Sequence, residues 1–196
     1  MASAFSHAFV AVALGSASAR HRMPWYFWGL SIACSILPDA DVIGFALGLP
    51  YNSLWGHRGL SHSLCFALVL SLCVVSLTFR QYVAFSWAWW SHVLYFFAVT
   101  ASHGVLDAMT DGGRGIAFFA PFDMTRYFFP WRPVRVSPIS IGAFFSTRGL
   151  EILETELVFI WLPTTVLCAA AYVSRRGERA AAGAHKTGKS YKQQKN

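Results

Sequence analysis

Charge is what this sequence has least of. Of its 196 residues, 13% are Asp, Glu, Lys or Arg, about half of the ~25% usual for soluble domains. Nine residues are acidic, and the four lysines (Lys186, Lys189, Lys192 and Lys195) all lie in the last eleven positions. Hydrophobic residues make up 55% and aromatics 16%. That balance excludes an ordinary soluble domain and predicts a membrane protein. Cysteine is sparse too. Cys34, Cys65, Cys73 and Cys168 fall inside apolar runs and none forms a CxxC pair. This excludes a zinc knuckle and a disulfide framework and predicts four buried small hydrophobes. No internal repeat is present. No Lys or Arg precedes Arg20, so Ala17-Ser18-Ala19, which resembles a signal cleavage site, lacks the positive segment that should come before it. The first apolar block is therefore expected to stay in the protein, and His7 with it.

What is present is a series of apolar blocks: 2–19, 24–37, 63–79, 82–106 and 152–173. Several approach the ~17–25 residues that span a bilayer, and the short ones call for tilt or local thinning. The expected fold is all-α: an integral membrane bundle of about four or five apolar helices over residues 1–174. Residues 175–196 form a basic, solvated tail suited to an anionic lipid surface. Arg20 and Arg22, Arg80, and Arg175 with Arg176 follow or separate the blocks. Placed in the cytoplasm, they leave the 38–62 and 107–151 loops outside. The arginines of the second loop (Arg114, Arg126, Arg132, Arg135 and Arg148) run against that trend, so either the orientation inverts or they serve an anionic ligand. The aromatics of that loop suit a segment at headgroup depth with its arginines available to phosphate. Aromatics beside arginines also suit RNA, which the surrounding spans argue against.

With that orientation His7, Asp39, Asp41, His57, His62, His103 and Asp107 all fall at the outer ends of their spans. They sit in "AFSHAFVAVALG", "LPDADVIG", "WGHRGLSHSL" and "SHGVLDAMTDGGRG". Each has a bland reading: a packed histidine, an N-cap at Asp39, polar loop residues, a hydrogen-bonded His103–Asp107 pair on one helix face. Four imidazoles and three carboxylates at one face of a charge-poor protein are harder to explain without function, because ionisable groups in a membrane are costly. Mixed His and Asp ligands suit zinc, with manganese or iron as alternatives, over calcium. Seven candidates suffice for one or two ions, which would bind a phosphoryl oxygen and activate water. Asp41, if not a ligand, or Asp111 would serve as general base, and Arg58 and Arg114 would hold a phosphate. His92 lies deeper and is expected to be structural, His21 interfacial, and His185 belongs to the tail. Glu151, Glu154 and Glu156 are expected to favour the start of the last helix electrostatically.

These motifs, in their order and spacing from residue 7 to about 123, resemble the YdjM-type family of bacterial inner-membrane metal-dependent hydrolases, some described as LexA-binding. The resemblance implies that the same seven residues are metal-site positions and that the protein hydrolyses an unspecified substrate. A more distant similarity is to zinc-dependent phospholipase C, whose additional downstream His and HxxxE are missing here, which favours one or two ions over three. The expected function is metal-dependent hydrolysis of a phosphoester or similar bond in a lipid-like substrate. Two non-enzymatic alternatives stand beside it: metal binding or transport, for which only His92 marks a path through the bilayer, and tethering of a cytosolic regulator through the tail.

Overall fold

The computed structural model describes residues 1–19, 22–138 and 141–176. All regular structure among them is helical, and β-type pairing is limited to the isolated bridges Thr110–Val134 and Ile116–Tyr127. Hydroxyl caps set three helix starts. Ser3, Ser63 and Ser86 accept from Ser6 N, Phe66 N and Trp89 N, opening α1 (Ala4–Ser18), α4 (Leu64–Thr78) and α5 (Trp87–Ala108). The second helix, α2 (Trp25–Ile36), tightens at Pro38 into a 3-10 turn, Leu37–Val42, and resumes as α3 (Ile43–Ala46). The 3-10 turn changes the rotation per residue just where Asp39 and Asp41 lie. A short α6 (Ile141–Phe144) precedes α7, which starts at Thr147, passes through a π turn at Leu157–Trp161 and runs on to Arg176.

By length and composition two helical stretches can cross a membrane: Trp25–Ala46 and Thr147–Arg176. Ala4–Ser18 and Leu64–Thr78 are apolar but shorter. The outer half of α7 is apolar and uncovered: Leu162, Val166, Leu167 and Val173 are all exposed. An apolar stripe of that size facing outward suits a lipid solvent rather than water. Cys73 is exposed as well, which corrects the expectation that all four cysteines are buried; all four are free thiols.

Helices α1, α2, α4 and α5 pack side by side. Phe27, Phe79, Trp89, Val93 and Phe96 fill one end of the bundle. His92 belongs there: its Nδ1 donates to its own helix at Ala88 O (2.8 Å), and its ring lies against Phe79 and Tyr82. At the other end the start of α1, the end of α2, the turn before α4 and the end of α5 meet. The segment 109–138 folds back across this end. Ala117 N bonds Arg58 O, Phe129 N bonds Ala108 O, and Ser137 N bonds Met1 O. Its residues Ile116, Ala117, Ala120 and Val134 are fully buried. The tail from 177 onward, with His185, and the Arg20–His21 pair lie outside the described residues.

Candidate metal centre

Helix α5 supplies His103 and Asp107, one turn apart on its buried face. The 3-10 turn after α2 supplies Asp39, and the short 3-10 turn Leu60–His62 supplies His62. One ligand atom from each lies within 4.8 Å of every other. His103 Nε2 is 3.1 Å from His62 Nε2 and 3.2 Å from Asp39 Oδ1. His62 Nε2 is 3.5 Å from Asp39 Oδ1 and 3.7 Å from Asp107 Oδ2. For metal–ligand bonds of about 2.0–2.2 Å, a tetrahedral ion needs ligand–ligand edges of about 3.3–3.6 Å. The observed separations bracket that range.

The hydrogen bonds decide which nitrogen each imidazole offers. His103 Nδ1 donates to Ser35 O (2.7 Å), which leaves Nε2 with its lone pair facing inward. His62 Nδ1 lies 3.1 Å from Asp41 Oδ2 and 2.9 Å from Ser61 Oγ, so its Nε2 also faces inward. Two nitrogens aimed at each other over 3.1 Å repel unless a proton or a cation lies between them. Burial alone would keep the His62 ring neutral, but Asp107, Asp39 and Asp41 around it raise its pKa to about 10. The site therefore draws positive charge into a buried pocket.

Of the remaining expected site residues, Asp41 and His57 stand one layer out and His7 lies directly against the group. Asp41 is saturated by His57 Nδ1 (2.6 Å), Ser61 Oγ (2.6 Å), Arg58 N (3.0 Å) and His62 Nδ1 (3.1 Å). It orients His62 as a carboxylate orients a metal-bound imidazole, and it stands outside the four-residue group. His57 reaches that group through Asp41 and by its ring, which stands edge-on to the His62 ring with centroids 5.6 Å apart. His7 stacks on His103 with ring centroids 3.8 Å apart, and its Nε2 is 3.5 Å from Asp107 Oδ1. Both nitrogens of this buried ring lack a hydrogen-bond partner among the described residues.

The proposed phosphate and base residues are engaged elsewhere. Arg58 is 1% exposed. It donates to Asp107 Oδ2 (3.1 Å), Gly112 O (2.8 Å) and Thr110 Oγ1 (3.1 Å), so it is a structural cation and not a free anion receptor. Its φ of +61° turns the chain between Gly56 and Gly59. Asp111 is exposed and accepts from Val136 N, which makes it a loop fastener rather than a base at the centre. Arg114 lies over the Tyr51 ring, 5.3 Å from its centroid.

Three contributors have parts that the sequence did not assign them. Arg126 donates to His57 O (3.0 Å) and Tyr51 O (2.9 Å) and so clamps the His57 turn from the covering segment. Gly104 lets that turn approach α5: a Cβ there would meet His62 O at 3.0 Å. Glu156 is fully buried and accepts from Ser3 N, Ser3 Oγ and Ser6 Oγ, tying α7 to the start of α1 beside the centre. It therefore acts as a buried bond acceptor and not through the field at the helix start, where it was expected. An acidic residue followed by a long uncharged run was the available signal.

Comparison with known proteins identifies the family. Residues 1–178 match the family described as YdjM inner membrane protein. The chain belongs to the YdjM inner membrane protein family. It is 32% identical over 176 residues to Inner membrane protein YbcI of Escherichia coli (strain K12), covering 90% of this chain and 100% of that protein. No solved structure matches it. In this YdjM-family chain, the match takes in all three elements that build the His/Asp group.

Proposed function

We propose that this protein is a multi-pass inner-membrane hydrolase that uses one divalent metal ion to cleave a phosphoester or similar bond in a lipid-like substrate. The observation that carries the reading is the Asp39–His62–His103–Asp107 group, with ligand atoms within 4.8 Å of one another and imidazole lone pairs converging. Two imidazoles and two carboxylates suit zinc, then manganese or iron. When bound, such an ion supplies Lewis acidity toward a phosphoryl oxygen and lowers the pKa of water. The chain's own part is to fix the donors. Ser35 O and Asp41 set the two rings, and Arg58 balances the charge of Asp107. The arrangement also shuts out bulk water: His62, His103 and Asp107 side chains are closed to solvent, while Asp39 keeps 12% exposure. Two long apolar helices and the family support a membrane location. The shorter helices complete a bundle with its centre at the non-cytoplasmic face, opposite the end where Arg175 meets Ser16 O.

Elemental analysis of the purified protein tests the centre. Wild type should carry one metal, His103→Ala close to none, and His57→Ala an intermediate amount. Unchanged metal content in both variants would remove the centre from these positions. Phosphoester lipids should then be turned over without chelator and left intact with it.

A further inference from the structure

Of the four residues in the group, Asp39 alone among their side chains is open, and what it opens onto is a cavity of about 420 Å³. Phe5, Ile36, Val42, Phe144 and Phe145 line most of it; Ser3, Ser137 and Met1 add a few polar atoms, and Asp39 is the one charged side chain on its wall among the described residues. Phe5 and Phe145 are themselves exposed, 57% and 77%, so the cavity leads from the buried carboxylate to an apolar rim. A second apolar cavity of about 450 Å³ lies beside α3, but it touches Asp41 and Ser61 and no member of the group.

We propose that the cavity at Asp39 holds the apolar chain of a lipid-class ligand, with the ligand's polar end at the His/Asp group. The proposal deepens the hydrolase reading by naming the chain-binding site. Three observations favour this occupant. The volume is within the ~300–1,000 Å³ of ligand pockets. A mostly apolar lining around one carboxylate would desolvate a free, fully polar substrate at a cost that the few polar atoms of Ser3, Ser137 and Met1 offset only in part. The family's inner-membrane setting brings alkyl chains to the exposed Phe5–Phe145 rim. A water-soluble phosphate or a peptide would need more polar partners along the cavity than this mostly apolar wall offers.

The probe is dodecyl phosphate carrying a diazirine at the chain terminus, irradiated with the full-length protein in nanodiscs and mapped by mass spectrometry. Cross-links should concentrate in peptides containing residues 1–5, 36–46 and 142–146. Unlabelled dodecyl phosphate should suppress them and inorganic phosphate should not. Ile36→Trp, which fills the cavity from α2, should lower their yield about tenfold, the change expected for loss of one good contact set. Phe145→Ser at the rim should lower it by less, and it keeps the test open should Ile36→Trp fail to fold. Labelling spread evenly over the lipid-facing sides of α4 and α7 and unchanged in both variants would overturn the proposal. Suppression by inorganic phosphate alone would overturn it as well. A protein that shows the cross-links but never hydrolyses a phosphoester would retain the chain site and lose the hydrolase reading, so the two failures are distinct.

Discussion

Replacing Asp41 by Asn separates a residue that holds a ligand from one that is a ligand. Asp41 receives four donors: His57 Nδ1, Ser61 Oγ, Arg58 N and His62 Nδ1. The amide keeps one acceptor oxygen but turns an NH2 toward groups that themselves donate. At least one of the 2.6 Å contacts is lost, and the charge that pins His62 disappears. Removing the carboxylate behind a metal-bound imidazole costs about 10–100-fold in affinity, or about 1.4–2.7 kcal/mol. Removing a ligand costs more, so Asp41→Asn should still bind one ion per chain, with an affinity 10–100-fold below wild type. His103→Ala should bind none at the same concentration. Titration of metal-free protein against a chromophoric chelator reads both numbers. Wild-type affinity in Asp41→Asn would refute the orienting role. Loss of stoichiometry equal to that of His103→Ala would make Asp41 a ligand and refute the layered arrangement.

Four further outcomes follow from the same geometry. Arg58→Met strands the Asp107 carboxylate in a buried site and should destabilise the protein by about 3–5 kcal/mol; a thermal melt that stays at the wild-type value would return Arg58 to a ligand-binding role. Gly104→Ala should weaken metal binding, because the added carbon meets His62 O at 3.0 Å, at a cost of about 1–3 kcal/mol. Its overexpressed protein holding metal as tightly as wild type would show that the turn can yield. Glu156→Ala leaves Ser3 and Ser6 without their buried acceptor and should cost about 1–3 kcal/mol per unmet donor, seen as faster proteolysis at the start of α1; no change would mean water replaces it. In metal-free protein the His62 pKa, raised to about 10 against 6.5 in a free histidine, keeps the ring protonated at neutral pH. That contribution to stability is complete below about 6.5 and is lost as pH rises through about 10. An ion must displace this proton, so apparent metal affinity should rise with pH from 6 to 8. A flat profile in the chelator titration would show that the ring is already neutral.

Much of the helical layout was legible in the sequence, because apolar runs and hydroxyl caps are local signals. The blocks at 2–19, 24–37, 63–79 and 82–106 each became a helix with bounds close to the block's own. The order of the motifs also showed that His7, Asp39, His62, His103 and Asp107 belong at one end of the bundle, since alternating helix directions bring alternate ends together. Residue type and spacing said nothing about which of seven candidates converge on one point. Asp39 and Asp41 are two residues apart and equivalent in composition, yet the 3-10 turn aims Asp39 at His103 and Asp41 at His57 and His62. Arg58 reads as a surface cation beside a glycine, and only the folded chain shows it sealed beneath the covering segment with three acceptors in reach. Glu156 reads as the charged edge of an apolar run, and becomes a buried fastener once α7 lies against α1. Local chemistry determined the helices and set imidazoles and carboxylates near their ends. Which of them converge rested on contacts between residues as far as 64 positions apart, which exist only after α2, α5 and the turn before α4 have packed and their water has left.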